Sequence, residues 1–156
     1  TPEHIAAVRR SFTRICGRHG QLADMFRANA LRRDATLAAL YADDPAGHHL
    51  LQMFAAIVAL LNKPALLLPA LRRLGRRVGI AQAAQISSFG RALIDTLRQA
   101  LGEDWDAATE GAWTTVYAEL SMTVLAAMIE VAAEREPAAA PRAARPAPAP
   151  ADALAA

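Results

Sequence analysis

Four histidines, one cysteine and several clustered arginines are the side chains with the most chemical reach in this chain. The histidines are His4, His19, His48 and His49, so no imidazole occurs after residue 49. His48 and His49 are adjacent and early on an expected helix, where neighbouring side chains point about 100° apart, so they cannot both face one ion. Surface positions in a first helical turn are the plain reading of that pair. Arg72, Arg73, Arg76 and Arg77 fall at spacings of one and four on one helix, which gathers four cations on one side. Without interleaved aromatics or nearby acidic residues they predict a solvated face, with a docking patch for an acidic partner as the alternative. The single Cys16 excludes an intrachain disulfide and a cysteine-built zinc or iron-sulfur site. Its place beside Ile15 predicts an inert core thiol. No phosphate loop, triad spacing or paired-carboxylate motif stands out, so the expectation is a protein that is not an enzyme.

The 156 residues are 54% apolar and 21% charged, which suits one globular domain. Seventeen cations, all but Lys63 being Arg, stand against 15 acidic residues. A net charge of +2 carries no strong signature of a nucleic-acid or membrane partner, and neither is expected. The N-terminal residues lack the basic stretch and apolar run of a secretory signal. The most apolar window, Leu50 to Leu71, is broken by Gln52, Asn62, Lys63, Pro64 and Pro69 and reads as two buried helices. Together with the lone cysteine, this predicts a soluble cytoplasmic protein.

These side chains must be positioned by helices, because apolar residues recur with helical period throughout and nowhere alternate with period two. Thr1 and Pro2 form a helix start, followed by Ile5, Val8, Phe12 and Ile15 on one face, with Gly17 and Gly20 as the stop. A second helix from about Gln21 to Arg33 buries Leu22, Met25, Phe26 and Ala30, and a short helical turn spans Asp34 to Tyr41. Pro45 opens a helix carrying Leu50, Leu51, Phe54, Ile57, Val58 and Leu61. Ala65 to about Val78 presents Leu68, Leu71 and Leu74. Ser87 or Ser88 caps a helix with Phe89, Leu93, Ile94, Leu97 and Leu101 inward, and Gly102 is its left-handed stop. Asp106 caps the longest helix, with Trp113, Tyr117, Leu120, Val124, Ala127 and Val131 on its buried side. Unequal lengths predict an irregular all-α packing of about seven to eight helices over residues 1–136. Residues 137–156 hold 11 Ala and five Pro, too little apolar bulk for a core and too much proline for a helix, which predicts a disordered tail.

Several runs are familiar. Leu68, Pro69, Ala70, Leu71, Arg72, Arg73, Leu74, Gly75, Arg76, Arg77, then Gly90, Ala92, Leu93, Thr96, Leu97, then Leu101, Gly102, Trp105, Ala112, Trp113 and Tyr117 resemble the bacterial haemoglobin-like globins, the single-domain relatives of flavohaemoglobin. Val8, Ser11, Phe12, Leu22, Ala23, Met25 and Phe26 fit the same pattern, so the resemblance covers about residues 1 to 134. It implies a globin-like fold and, in the family, a haem held by a proximal histidine that binds oxygen or nitric oxide.

Carried over residue by residue, the proximal position falls on Val78 counting forward from Gly75, or on Arg76 counting back from Gly90. Neither is a haem ligand, the usual ones being His, Cys, Met and Tyr. A His-Tyr pair usual in the family is replaced by Gln85 and Ile86. The distal tyrosine is replaced by Arg27, the wedge phenylalanine by Tyr41, and the distal polar position falls on Ala46 or His48. Both pocket-side loops are about two residues shorter than in the family. An empty pocket of roughly 300 to 1,000 Å³ would cost about 7 kcal/mol or more, against a domain stability of about 5 to 15 kcal/mol. The pocket is therefore expected to have shrunk around Tyr41, Met53 and Phe54. These residues predict a haem-free globin relative, with no cofactor, that binds a small ligand or a protein partner; a homodimer is compatible with that. Arg27, at an inward-facing family position, would need a carboxylate partner or an anionic ligand if buried, such as a fatty-acid-like carboxylate; the other reading is a guanidinium that reaches solvent. The alternative is a haem globin for oxygen or nitric oxide with axial ligation from His48 or His49.

Overall fold

The computed structural model describes residues 1–78 and 83–135. Among them lie six α-helices: α1 (Pro2–Ile15), α2 (His19–Arg33), α3 (His48–Leu60), α4 (Pro64–Val78), α5 (Gln85–Leu101) and α6 (Ala107–Arg135). Tighter 3₁₀ turns occupy Cys16–Arg18, Ala35–Tyr41 and Gly102–Asp104. No strand occurs among the described residues. Seven to eight were expected; among the described residues the expected helical turn from Asp34 to Tyr41 is a 3₁₀ segment, Ala35–Tyr41. The 137–156 tail lies outside the described residues.

Helix boundaries follow from local chemistry. The Thr1 hydroxyl accepts from the His4 amide at 3.5 Å, and Pro2 sits where its missing N–H is no loss. Helix α1 ends at Ile15 and Gly17 lies in the short 3₁₀ turn that follows, as expected, whereas Gly20 already belongs to the first turn of α2. Asp34 ends α2 and accepts from the Thr36 amide, which starts the 3₁₀ turn. The Asp44 carboxylate then accepts from the amides of His48 and His49 at 3.0 Å and of Leu50 at 3.2 Å, so three of the four orphan donors of α3 are satisfied by one side chain. Gly47 just before α3 has φ +71°, a left-handed conformation that favours glycine. Helix α5 begins at Gln85 with no side-chain cap, two residues before the expected serines. Gly102 ends it with φ +53°. Asp106 accepts from the Thr109 amide at 2.7 Å and opens α6.

Packing is dominated by three helix pairs, α4 on α6, α2 on α5 and α1 on α6. Where α4 crosses α6, a Cβ on Gly75 would lie 2.4 Å from the Val124 carbonyl oxygen, so the helices meet backbone to side. The same crossing rotates α4 so that Leu67 and Leu71 enter the core while the expected Leu68 is 44% exposed. The core joins Val8, Phe12 and Ile15 of α1, Leu22 of α2, Leu93 and Leu97 of α5, and Trp113, Val116 and Met128 of α6. Cys16 at its edge is half-buried and packs against this core. By length and composition α6 could cross a bilayer. One side of it packs on α1 and α4, while Met122 and Ile129 remain exposed on the other.

Candidate functional site

Helix α3 is the least embedded element. Only Val58 is buried, while Leu50, Phe54 and Ile57 are half-buried and border an open space. That space is a partly open apolar cavity of about 160 Å³ bounded by α3, α4, α5, α6 and the 3₁₀ turn before Tyr41. Leu37, Leu40, Ile57, Leu71, Leu74, Leu120, Val124 and Met128 line it with Phe54, Phe89 and Tyr117. Its polar members are Gln85, Tyr117 and Ser121, and the first two are engaged within the protein. Gln85 donates to the Thr36 hydroxyl at 2.9 Å, and the Tyr117 hydroxyl donates to the Ile86 carbonyl at 2.6 Å. Burial pushes the Tyr117 hydroxyl up to about 12, with Ser121 pulling it down, so it stays a neutral donor. Gly90 lets this ring in, since a Cβ there would meet Tyr117 at 2.4 Å.

A smaller chamber of about 40 Å³ lies behind, lined by Phe12, Ala23, Phe26, Tyr41, Gly47, Leu93 and Thr96. Leu50, Phe54 and Phe89 line both spaces and form the wall between them. Phe54 is fixed by stacking on Trp113 at 5.8 Å and by the edge of Phe12 at 5.6 Å. Tyr41 is buried with its hydroxyl unpartnered among the described residues. Burial pushes that hydroxyl up to about 12; the Arg27 charge opposes the rise and Asp44 adds to it.

The residues assigned by resemblance therefore divide. Met53, Phe54, Gln85 and Ile86 line the larger cavity, and Tyr41 with Phe54 lines the smaller one. Met53 is at the rim, 36% exposed. Arg27 takes the solvent-facing alternative: it is exposed, its guanidinium 5.6 Å above the Tyr41 ring, because the tyrosine takes the inward space and offers its face to the cation. It lines neither cavity. Ala46, His48 and His49 are exposed and line neither cavity. Arg76 also points outward, with a two-pronged contact to Glu134 of α6 at 3.0 and 3.4 Å. Val78 closes α4, and its side chain lies outside the described residues. Arg72, Arg73 and Arg77 are exposed beside Arg76, as a solvated face requires.

The lining does not fit a haem. Its metal-binding atom types are the thioethers of Met53 and Met128 and the committed hydroxyl of Tyr117, with no imidazole. Its volume is also below the roughly 300 Å³ at which pockets for drug-sized ligands begin.

A second arrangement escaped the reading of the sequence. Asn29 on α2 is 2% exposed, and its amide donates to the Thr96 hydroxyl and the Gln99 carbonyl of α5, each at 3.0 Å. Around it Arg32, Arg33, Arg91 and Arg98 line an open groove with Ser88, Asp95 and Gln99. The signal was weak: a polar residue on the Leu22, Ala23, Phe26, Ala30 face of α2. No protein-family model matches the chain and no curated protein matches it, so the function is argued from this geometry.

Proposed function

We propose that this chain is a haem-free relative of the bacterial haemoglobin-like globins that uses its remaining cavity to bind a small apolar molecule. The carrying observation is the 160 Å³ space lined almost wholly by aliphatic and aromatic side chains, in which Gln85 and Tyr117 are hydrogen-bonded within the protein and Ser121 is the remaining polar group. An aliphatic and aromatic cavity of about 150 Å³ takes a benzene-sized molecule. The order of six helices with a 3₁₀ turn after the second, and the pairing of the first and fourth with the sixth, also support the reading. At about 24 cal/mol per Å³, leaving the space unfilled costs at most about 4 kcal/mol, which a domain tolerates and a ligand recovers in part. A cytoplasmic location and the absence of catalysis belong to the same proposal. Haem ligation by His48 or His49 is not favoured, since both side chains are exposed on the first turn of α3.

Two measurements test it. Expression with added haem followed by gel filtration is expected to give protein without a stoichiometric Soret band, and a persistent band would overturn the haem-free reading. Saturating toluene is expected to raise Tm by about 3 °C or more, and Leu120→Phe, which fills the cavity, is expected to abolish the rise. An unchanged Tm of the parent chain, or an equal rise in both, would overturn the apolar-ligand reading.

A further inference from the structure

The groove between α2 and α5 is built from arginines that the fold holds in place. The Arg32 guanidinium donates to the Asn29 carbonyl oxygen, and Asn29 is itself fixed from beneath by Thr96 and Gln99. Arg33 is paired with Asp95 across the groove. Arg98 reaches Glu110 at 3.1 Å, and that carboxylate also accepts from the Trp105 indole at 3.0 Å. Neither Arg32 nor Arg91 has a carboxylate partner among the described residues. Four guanidinium groups thus meet two carboxylates, and a side chain as costly to bury as Asn29 serves to orient one of them.

The positive charge is not spread evenly. Arg91 and Arg98 are seven residues apart on α5, about 10 Å along the helix, with the Asp95–Arg33 pair between them. Arg91 and Ser88 form one end, and Arg32, Arg98 and the Gln99 amide the other. A continuous phosphate backbone would pass over the Asp95 carboxylate and find no aromatic side chain to stack on, so a nucleic acid fits poorly. Separate carboxylates can meet a guanidinium at each end and suit its forked donors. We propose that this groove docks an acidic segment of a partner protein, with glutamate or aspartate side chains at Arg91 and at Arg32. The site is separate from the arginines of α4, where Arg76 is already committed to Glu134.

The full chain is titrated into fluorescein-labelled octaglutamate at low and at 0.3 M salt, with anisotropy as the readout and octathymidylate as competitor. Saturable binding that weakens with salt is expected, and Arg32→Gln with Arg91→Gln should weaken it about tenfold or more. Arg72→Gln with Arg73→Gln removes the same charge elsewhere and should change it less than about twofold. All four positions are exposed, and circular dichroism verifies that both double variants remain folded. No saturable binding at millimolar protein, equal weakening by the two double variants, or tighter binding of octathymidylate would each overturn the proposal.

Discussion

Trp113 shows how a single polar contact can govern a core position. Its indole N–H donates to the Ser11 hydroxyl at 2.9 Å, buried between α1 and α6, while that hydroxyl returns its proton to the Ala7 or Val8 carbonyl. Ser11→Ala removes the acceptor and leaves an indole donor dry, which is expected to cost about 1 to 3 kcal/mol in urea denaturation. A loss below about 0.5 kcal/mol would mean that the indole finds another partner. Arg27 carries the opposite lesson. Its position on α2 was legible, but its direction was not, because an inward site by resemblance is settled by which neighbour fills the space. Tyr41 fills it, and the guanidinium rests on the outer face of the ring.

Between elements, close approach decides stability more than helix propensity does. Gly75 sits where α4 touches the α6 backbone, and an added Cβ would also lie 2.7 Å from that of Ala127. Gly75→Ala gains about 1 kcal/mol of helix propensity but forces the two helices apart, and a net loss of about 2 kcal/mol or more is expected. Gly111 on α6 is the control, since a Cβ there meets nothing within 4 Å. Gly111→Ala should be stabilising by about 0.5 to 1 kcal/mol. Equal effects of the two, read from urea midpoints at unchanged slope, would contradict the packing described for α4 and α6.

Across the whole molecule, acid sensitivity follows from carboxylates spread over several helices. Arg33 holds Asp95 below its ordinary value, Thr36 does so for Asp34, Thr109 for Asp106, and Trp105 with Arg98 for Glu110. A carboxylate lowered in the folded state contributes stability above its unfolded pKa, near 4, and that contribution disappears as pH falls through the lower folded value. Tm is therefore expected to be nearly constant from about pH 5 to 8 and to fall below about pH 4. Melts followed by circular dichroism check this, and a fall centred near pH 6 would assign the sensitivity to other groups.

The helices, some of their caps and the buried faces of α1, α5 and α6 were legible in the sequence, because they depend on hydrogen bonds and periodicities spanning a few residues. Thr1, Gly102 and Asp106 act at their expected boundaries. Tertiary structure alone decided the rotation of α4 that exposes Leu68 and buries Leu67, the size of the apolar cavity, and the division of its wall among Leu50, Phe54 and Phe89. It also decided that Asn29 would meet Thr96 and Gln99, more than 60 positions away, beneath the arginine groove. Each of these depends on how far apart two helices settle and which side chains meet between them, a balance of packing that local sequence periodicity does not carry.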